Sequence, residues 1–510
     1  MWYKELNSDW QAQLDRPIGA KHRVKVVFDP SGDNVDLSER LASMGALVQK
    51  KNILPGKLGQ YIASQVNLKF NDPDSYFNEL DAESFLYGTD WYHTEVQIKS
   101  KMAGTSSDVN QGLMYLEAVK LEKANASFVL VDLFKVLLDE KLTADTYNRI
   151  KDGVSQSTIS YERTGSSTGT LDDMTIYSTY CKLGQWTITF TDGSGNYTVD
   201  GPGVTEKEGS TGSDFYSNTD ATDSQIKIAS GDWTGTFDEG DSITFSTCRT
   251  WENKVLIEII HDLAKTMLSD SDIDKSGTYP STLDTDYSFD RAHNWLALFK
   301  LSISFDRTTT VLKAIELVAN HGNSTPFSNR DGKLAIDVYR PKYQDSFYNL
   351  QNYNDLKECK SETLAPIEAF RIFFNYDYEN SAYLNEYVYP NDATEDIFEI
   401  KLHGFTSEDA GLVHWMATFY YNLWHDGVRV FDPIKEKLHA LAIDIGEHYY
   451  INSLNPVYEN RAIEIIETQK RLLKRDISLK AFDVNSLMGD ISAYCFCDVG
   501  HKCDDGRIIW

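Results

Sequence analysis

The chain has 510 residues, 41% of them apolar and 12% aromatic, enough to build more than one hydrophobic core. A formal net charge of −28 and a pI near 4.7 exclude phosphate-backbone binding as the main activity, because that affinity comes from Lys and Arg displacing counterions. No stretch approaches the roughly 18 apolar residues that cross a bilayer, and MWYKELNSDWQAQLDRP lacks an export pattern, so folding in a cytoplasm is expected.

In chain order, HRVKVVF (22–28) alternates as a half-buried strand and is followed by the turn DPSGDN. NLKFNDPDSYFNEL (67–80) reads as a strand that runs into a corner. Leu68 and Phe70 alternate with polar neighbours, Asn71 to Asp74 bend the chain, and Tyr76 and Phe77 supply large packing surfaces. FLYGTDWYHTEVQIKS carries the sheet signal to Ser100, which makes residues 1–110 a β-rich domain. Over 111–142 the period changes: Val129, Leu133, Val136 and Leu137 share a helical face, with Ser127 as cap, and 111–154 is expected as a helical connector.

Between 155 and 250 the composition shifts to Ser, Thr, Gly and Asp around short alternating runs, the pattern of a small, inserted all-β domain. Helical spacing resumes in WENKVLIEIIHDLAKTML, where Val255, Ile259, Leu263 and Met267 form a stripe. In TTTVLKAIELVANHGN, Thr308 or Thr309 can cap a helix whose buried face is Val311, Ile315 and Val318 and which closes at His321-Gly322. A hairpin follows in PFSNRDGKLAIDVYRP with Asp331-Gly332 as a two-residue turn, completing an α/β domain over 251–345. Residues 346–510 read as further strands, an aromatic-faced helix from Ser407, a helix in YENRAIEIIETQKRLLKR, a strand in DISLKAF, the turn NSLMGD and a cysteine-bearing tail.

Catalytic signatures are missing: there is no GxSxG, HExxH or GxxxxGK[ST]. His414 and His425, eleven apart, do not make an i, i+4 metal pair and read as packing or surface histidines. With 77 acidic residues any pair of carboxylates suited to glycoside cleavage would arise by chance, so sequence does not decide that chemistry. Three cysteines, Cys181, Cys248 and Cys359, are scattered singly and suggest no disulfide framework. Cys495, Cys497, His501 and Cys503 form a chemically complete ligand set for zinc, although C-x-C on a strand points its thiols to opposite faces unless a turn intervenes. No other cofactor is expected. DGSGN (192–196) and DEGD (238–241) carry oxygen ligands for calcium but lack the twelve-residue loop with its closing glutamate, and read as solvated turns.

Several segments, in order, resemble the bacteriophage baseplate-hub or tail-tip hub family. NDPDSYFNEL is similar to its strand-turn motif, with Asp72, Asp74, Tyr76 and Phe77 at motif positions and Ser75 in place of the usual Gly. VDLSERL (35–41) looks like its early segment, KVLIEIIHDLAKTML and TTTVLKAIELVANHGN like two of its helices, and the Asp331-Gly332 hairpin like its D-G-K-L-R hairpin. ENRAIEIIETQKRLLKR, ISLKAF and LMGD resemble its closing helix, strand and turn. The resemblance implies a β-dominated α+β multidomain fold with two tail-tube-like β-barrels, the first in 1–110 and the second in 346–510 built on 366–405 and the C-terminal strand, with 155–250 added to a common scaffold. It implies a non-enzymatic virion subunit assembled in the host cytoplasm, with three copies in a ring that adapts a sixfold tube to a threefold tip. Its partners would be itself, a tail-tube or distal tail protein above, a tip, spike or fibre protein below, and genome DNA that passes at ejection without specific binding. An acidic channel wall would repel the phosphates. The alternative is a cell-envelope glycan-binding or glycan-cleaving tail protein whose Trp186, Tyr197 and Trp233 stack on sugars, against the expectation that these rings fill the block's own core.

Overall fold

A computed structural model describes residues 9–10, 13, 21–29, 32–88, 90–151, 153–219, 221–277, 279, 287–339, 348–350, 358–393, 397–436, 438–451 and 461–484. The fold is α+β and β-dominated. Its first large sheet has seven antiparallel strands: Val35–Asp36, His22–Phe28, Glu95–Met102, Val109–Glu122, Asn125–Val131, Gln65–Asn71 and Leu41–Met44, in that spatial order. Alternation sets its inner face, since Val24, Val26 and Phe28 pair across from Ser100, Ile98 and Val96, all six buried, while Arg23 and Lys25 point the other way.

The second large sheet runs Tyr348–Leu350, His448–Ile451, Arg461–Arg471, Asp476–Asp483, Arg429–Glu436 and Glu358–Thr363. Arg461–Arg471 has Asp476–Asp483 along one edge. Its other edge is shared end to end by His448–Ile451 and by Leu47–Lys51, a strand that leaves the first sheet between Leu41–Met44 and Gln65–Asn71. One core then joins both sheets, with Leu68, Phe77 and Phe128 in the same cluster as Phe431, Ile465 and Leu479. Neither large sheet closes on itself among the described residues.

Beside this pair lie the helices Leu256–Ala264, Ser288–Trp295 and Val311–Asn320, the hairpin Ser324–Ser328/Leu334–Val338, and a three-stranded sheet (Ala382–Tyr389, Ala369–Asp377, Ile397–Lys401) covered by the helix Ala410–Trp424. The block rich in Ser, Thr and Gly is a small β unit around a five-stranded sheet whose centre is Gly184–Phe190. The chain enters and leaves it at one point, where Cys248 N–H donates to the Thr146 carbonyl at 2.6 Å and Thr146 N–H to the Cys248 carbonyl at 3.1 Å.

Four expectations need correction. Residues 111–131 form two long strands, and the helix is only Leu133–Asp139, capped by Asp132, whose carboxylate accepts from Phe134 N–H and Lys135 N–H, not by Ser127. The run SFVLV pairs with Gln65–Asn71, and sheet pairing overrides a helical spacing this short. The predicted helix in ENRAIEIIETQKRLLKR is the strand Arg461–Arg471. Ala462 to Ile466 are buried on both faces, and a doubly covered strand shows a continuous apolar run instead of alternation. Asp331-Gly332 is no two-residue turn: strand pairing ends at Ser328 and Leu334, leaving a five-residue loop, 329–333. Asn329 builds it by accepting from the N–H groups of Asp331 and Lys333, both at 3.0 Å. Finally, Val255 ends a strand and Met267 lies beyond the helix, so the stripe of Leu256–Ala264 is Leu256, Ile259, Ile260 and Leu263.

Candidate assembly core and its surface loop

The corner after Gln65–Asn71 is organised by one arginine. Arg40 holds both oxygens of Asp74, at 2.6 and 2.7 Å, and lays its guanidinium 4.2 Å from the centre of the Tyr76 ring. This hydrogen bond keeps the Asp74 carboxyl below its usual range. Tyr76 in turn stacks on Phe85 at 5.0 Å. Phe77 is fully buried, 5.2 Å from Phe70, 5.2 Å from Phe128 and 5.6 Å from Phe85. Buried Asp72 donates its backbone N–H to Ala124 O, closing the strand end. Ser75, where the resembled family has Gly, sits at φ +57°, the left-handed region that Gly enters without penalty. Past the corner, N–H donations from Asn78, Asp81, Ser84 and Tyr87, each to the residue three before it, wind 75–87 into a run of turns.

The two sheets are joined by a buried charge cluster. Lys51 at the end of Leu47–Lys51 is fully buried and donates to Asp337 at 2.6 Å and to Glu464. Burial alone would depress the ammonium, but Asp337 and Glu464 outweigh it and the Lys51 pKa is raised. His448 Nε2 meets the other oxygen of Glu464 at 2.7 Å, and the Tyr339 ring lies 4.2 Å from Lys51 Nζ. Two other segments thus converge on Lys51, and a third joins them through Glu464.

The hairpin Ser324–Ser328/Leu334–Val338 completes this joint. Its loop reaches the first sheet, where Asn110 donates to Asp331 at 2.8 Å and Gly332, at φ +79°, rests on Leu113 so closely that a Cβ would lie 2.2 Å from the leucine Cβ. Through Arg330, which donates to Ala442 O at 3.2 Å, it reaches the short helix Leu438–Ala442 beside the second sheet, and it meets the strand Leu47–Lys51 through Gln49, which donates to Ser328 O at 2.9 Å. Asp331 and Gly332, singled out from sequence as a turn, therefore act as a docking point.

The other candidate residues fall elsewhere. Trp186 and Tyr197 are 0% and 1% exposed in the core of the block, so neither offers a face to a sugar; half-buried Trp233 packs on Phe190, Tyr197 and Phe237. Gly201 and Gly209 leave the space that the Trp186 and Tyr197 rings occupy. Asp192 accepts from Ser194 and Asn196 backbone N–H groups at 2.8 and 3.1 Å. Asp241 accepts from Thr164 and Asp238 N–H groups at 2.8 and 2.9 Å. Against the desolvation of its burial, these and a Ser167 bond hold its carboxyl at about 2. Asp192 thus serves its own turn, whereas Asp241 ties its turn to the segment 164–167. His414 bonds Tyr387 and His425 stacks on Tyr421 at 4.4 Å. No group of three or more His, Cys, Asp and Glu suited to a metal occurs among the described residues, and Cys495, Cys497, His501 and Cys503 lie outside them. Sequence reading missed Lys51, Asp337, His448 and Glu464. They are separated by up to 413 positions, and no local pattern marks them.

No protein-family model and no curated protein matches the chain. Among solved structures it is similar to a tail protein from Neisseria meningitidis MC58, at 9% identity over 92% of this chain and 98% of that one, with a TM-score of 0.43. It is also similar to the 43 kDa tail protein of prophage MuSo2 from Shewanella oneidensis, at 8% identity over 91% and 99%, TM-score 0.41. A third likeness is to the lidded PdpA-VgrG complex of Francisella, at 9% identity over 94% of this chain and 55% of that one, TM-score 0.39.

Proposed function

We propose that the chain is a non-enzymatic structural subunit of a phage tail or a related injection machine, a baseplate-hub or tail-tip protein of which three copies form a ring. One observation carries the reading. The strand Leu47–Lys51 crosses from the first large sheet into the second and is fastened there by Lys51, which fixes the two sheets of one chain at a set angle and spacing. A threefold ring of such subunits offers six sheet units, and only rigid pairs keep those six in register with a sixfold tube above. In this role each sheet unit serves as a tube-like barrel element, a tail-tube or distal tail protein docks on one side of the ring, and a tip, spike or fibre protein docks on the other. The net charge of −28 supports a lumen that lets DNA slide without sticking. The burial of Trp186 and Tyr197 leaves the glycan-binding alternative with half-buried Trp233 as the one partly accessible ring of its three.

The test is mass and shape in solution, by light scattering together with negative-stain class averages of the purified protein. A threefold ring with a central channel is expected. A particle that stays monomeric at high concentration, alone and with its cognate tube protein, would overturn the reading.

A further inference from the structure

The outer face of the first sheet breaks a rule of strand pairing. Arg23 lies directly across from Lys101, and Lys25 directly across from Lys99. Like charges in opposed positions destabilise a sheet, and here two such pairs are consecutive on one face of a chain whose net charge is −28. Compensation within the chain is slight. Asp36 and Asp108 approach Lys25 only to 3.9 and 4.0 Å, Asp108 approaches Lys101 only to 4.0 Å, and Arg23 and Lys99 have no carboxylate within that distance among the described residues. A fold that keeps four cations in such a ladder at a cost to its own stability has a use for them outside the chain.

The same sheet carries a complementary surface at its far end. From Asn71 to Thr94 there are six acidic residues and no Lys or Arg. Glu79, Glu83 and Asp90 are exposed there, as are three large apolar side chains, Leu80 at 85%, Tyr87 at 54% and Tyr92 at 53%. The run of turns over 75–87, with Trp91 donating to Glu79 at 2.8 Å, holds this loop in shape before any partner arrives. The loop meets the strand Glu95–Met102 at its first residue, whereas Lys99 and Lys101 lie four and six residues on, roughly 13 and 20 Å away along an extended strand. Beyond a screening length of about 8 Å the loop does not neutralise its own ladder.

We infer that the acidic, apolar loop 78–92 of one copy docks on the Arg23/Lys25/Lys99/Lys101 ladder of the next, making the head-to-tail contact that closes the ring. The inference rests on the ring proposed above. Two different patches on one subunit generate a heterologous interface, which closes when the rotation permits. Leu80, Tyr87 and Tyr92 supply the apolar centre, and the opposite charges around them set orientation and exclude the like-charged contacts available elsewhere on so acidic a surface.

The experiment follows assembly of the full chain by sedimentation velocity across concentration. Lys99→Glu with Lys101→Glu is expected to raise the concentration needed for assembly by about a hundredfold, and Glu83→Lys with Asp90→Lys to do the same. The full exchange, with Arg23, Lys25, Lys99 and Lys101 all changed to Glu and Glu79, Asp81, Glu83 and Asp90 all changed to Lys, restores opposite charges across the contact and is expected to recover most of the assembly. Native circular dichroism and a melting temperature no lower than that of the wild type establish that each variant folds. Wild-type assembly unaffected by ladder reversal would overturn the inference and leave the ring standing. Failure of the fully exchanged chain to recover would overturn the pairing of loop with ladder. Binding of a short DNA duplex that ladder reversal abolishes, with assembly intact, would assign the ladder to nucleic acid instead. A wild-type chain that never assembles, alone or with its tube protein, would overturn the ring and this contact together.

Discussion

The inserted block and the joint between the two large sheets are both densely packed, yet they are built in opposite ways. In the block, Gly184–Phe190, Asn196–Gly201 and Val204–Ser210 follow one another as neighbouring antiparallel strands, and the ring pairs Trp186–Phe245 and Phe190–Tyr197 are made within the block itself. At the joint, Lys51, Asp337 and the paired strands that carry His448 and Glu464 come from three distant parts of the chain. The unit is assembled largely from local hairpins and is tied to the rest of the chain at Thr146 and Cys248 and at Ala144 and Cys181. The joint has no such local origin, and removing Lys51 would leave Asp337 and Glu464 buried without their shared cation.

The strongest way to break this contrast is at Lys51. Lys51→Met leaves Asp337 and Glu464 buried beside an apolar side chain and is expected to cost about 3–5 kcal/mol in urea unfolding, whereas adding Glu464→Gln to it returns part of the loss. Equal stability of the single variant and the wild type would show that the cluster holds nothing together. Cavities in the two regions sharpen the comparison. Phe77→Ala and Trp186→Ala each remove a fully buried ring, at about 3–5 kcal/mol. Hydrogen exchange is expected to separate them: Trp186→Ala exposes the amides of Gly184–Phe190 and spares Arg461–Arg471, while Phe77→Ala, in the core shared by both sheets, exposes the latter.

A smaller effect depends on pH. His321, buried at the C-terminal end of the helix Val311–Asn320, shares a 2.9 Å hydrogen bond between Nδ1 and Leu317 O, and Nε2 accepts from Gly404 N–H at 2.8 Å, so the ring is neutral. Burial lowers its pKa from 6.5 to about 3. The unfolded chain therefore takes up this proton first as pH falls, and stability that is complete above 6.5 is lost toward 3, at no more than about 1.4 kcal/mol per pH unit for this group. His321→Gln should flatten the acid limb of the stability curve, with a residual slope from His403, which burial lowers to about 4. An unchanged slope would remove His321 from the acid response. The smallest effect is at Ser75, where Ser75→Gly should stabilise by up to about 1 kcal/mol by relieving φ +57°, visible as a raised melting temperature.

The helix Val311–Asn320 was readable because its cap and its buried stripe are local, although the cap is Thr310, one position beyond the candidates Thr308 and Thr309. His22–Phe28 and Gln65–Asn71 were readable from alternation, and the block from its turn-rich composition and short alternating strands. Arg461–Arg471 was not, since a strand covered on both faces carries the same apolar run as a helix until its neighbours are known. The five-residue loop around Asn329 was hidden for a related reason: Asp331-Gly332 would serve a two-residue turn as well, and what selects the longer loop is the seat that Gly332 takes on Leu113.

By itself, then, the sequence determined the quantities that add up along the chain: an acidic surface, enough apolar residues for several cores, the period of isolated elements and the composition of the block. Only the tertiary structure decided which elements pair and where buried charges find partners, because the free energy of Lys51 depends on carboxylates 286 and 413 positions away and no local signal encodes such a meeting.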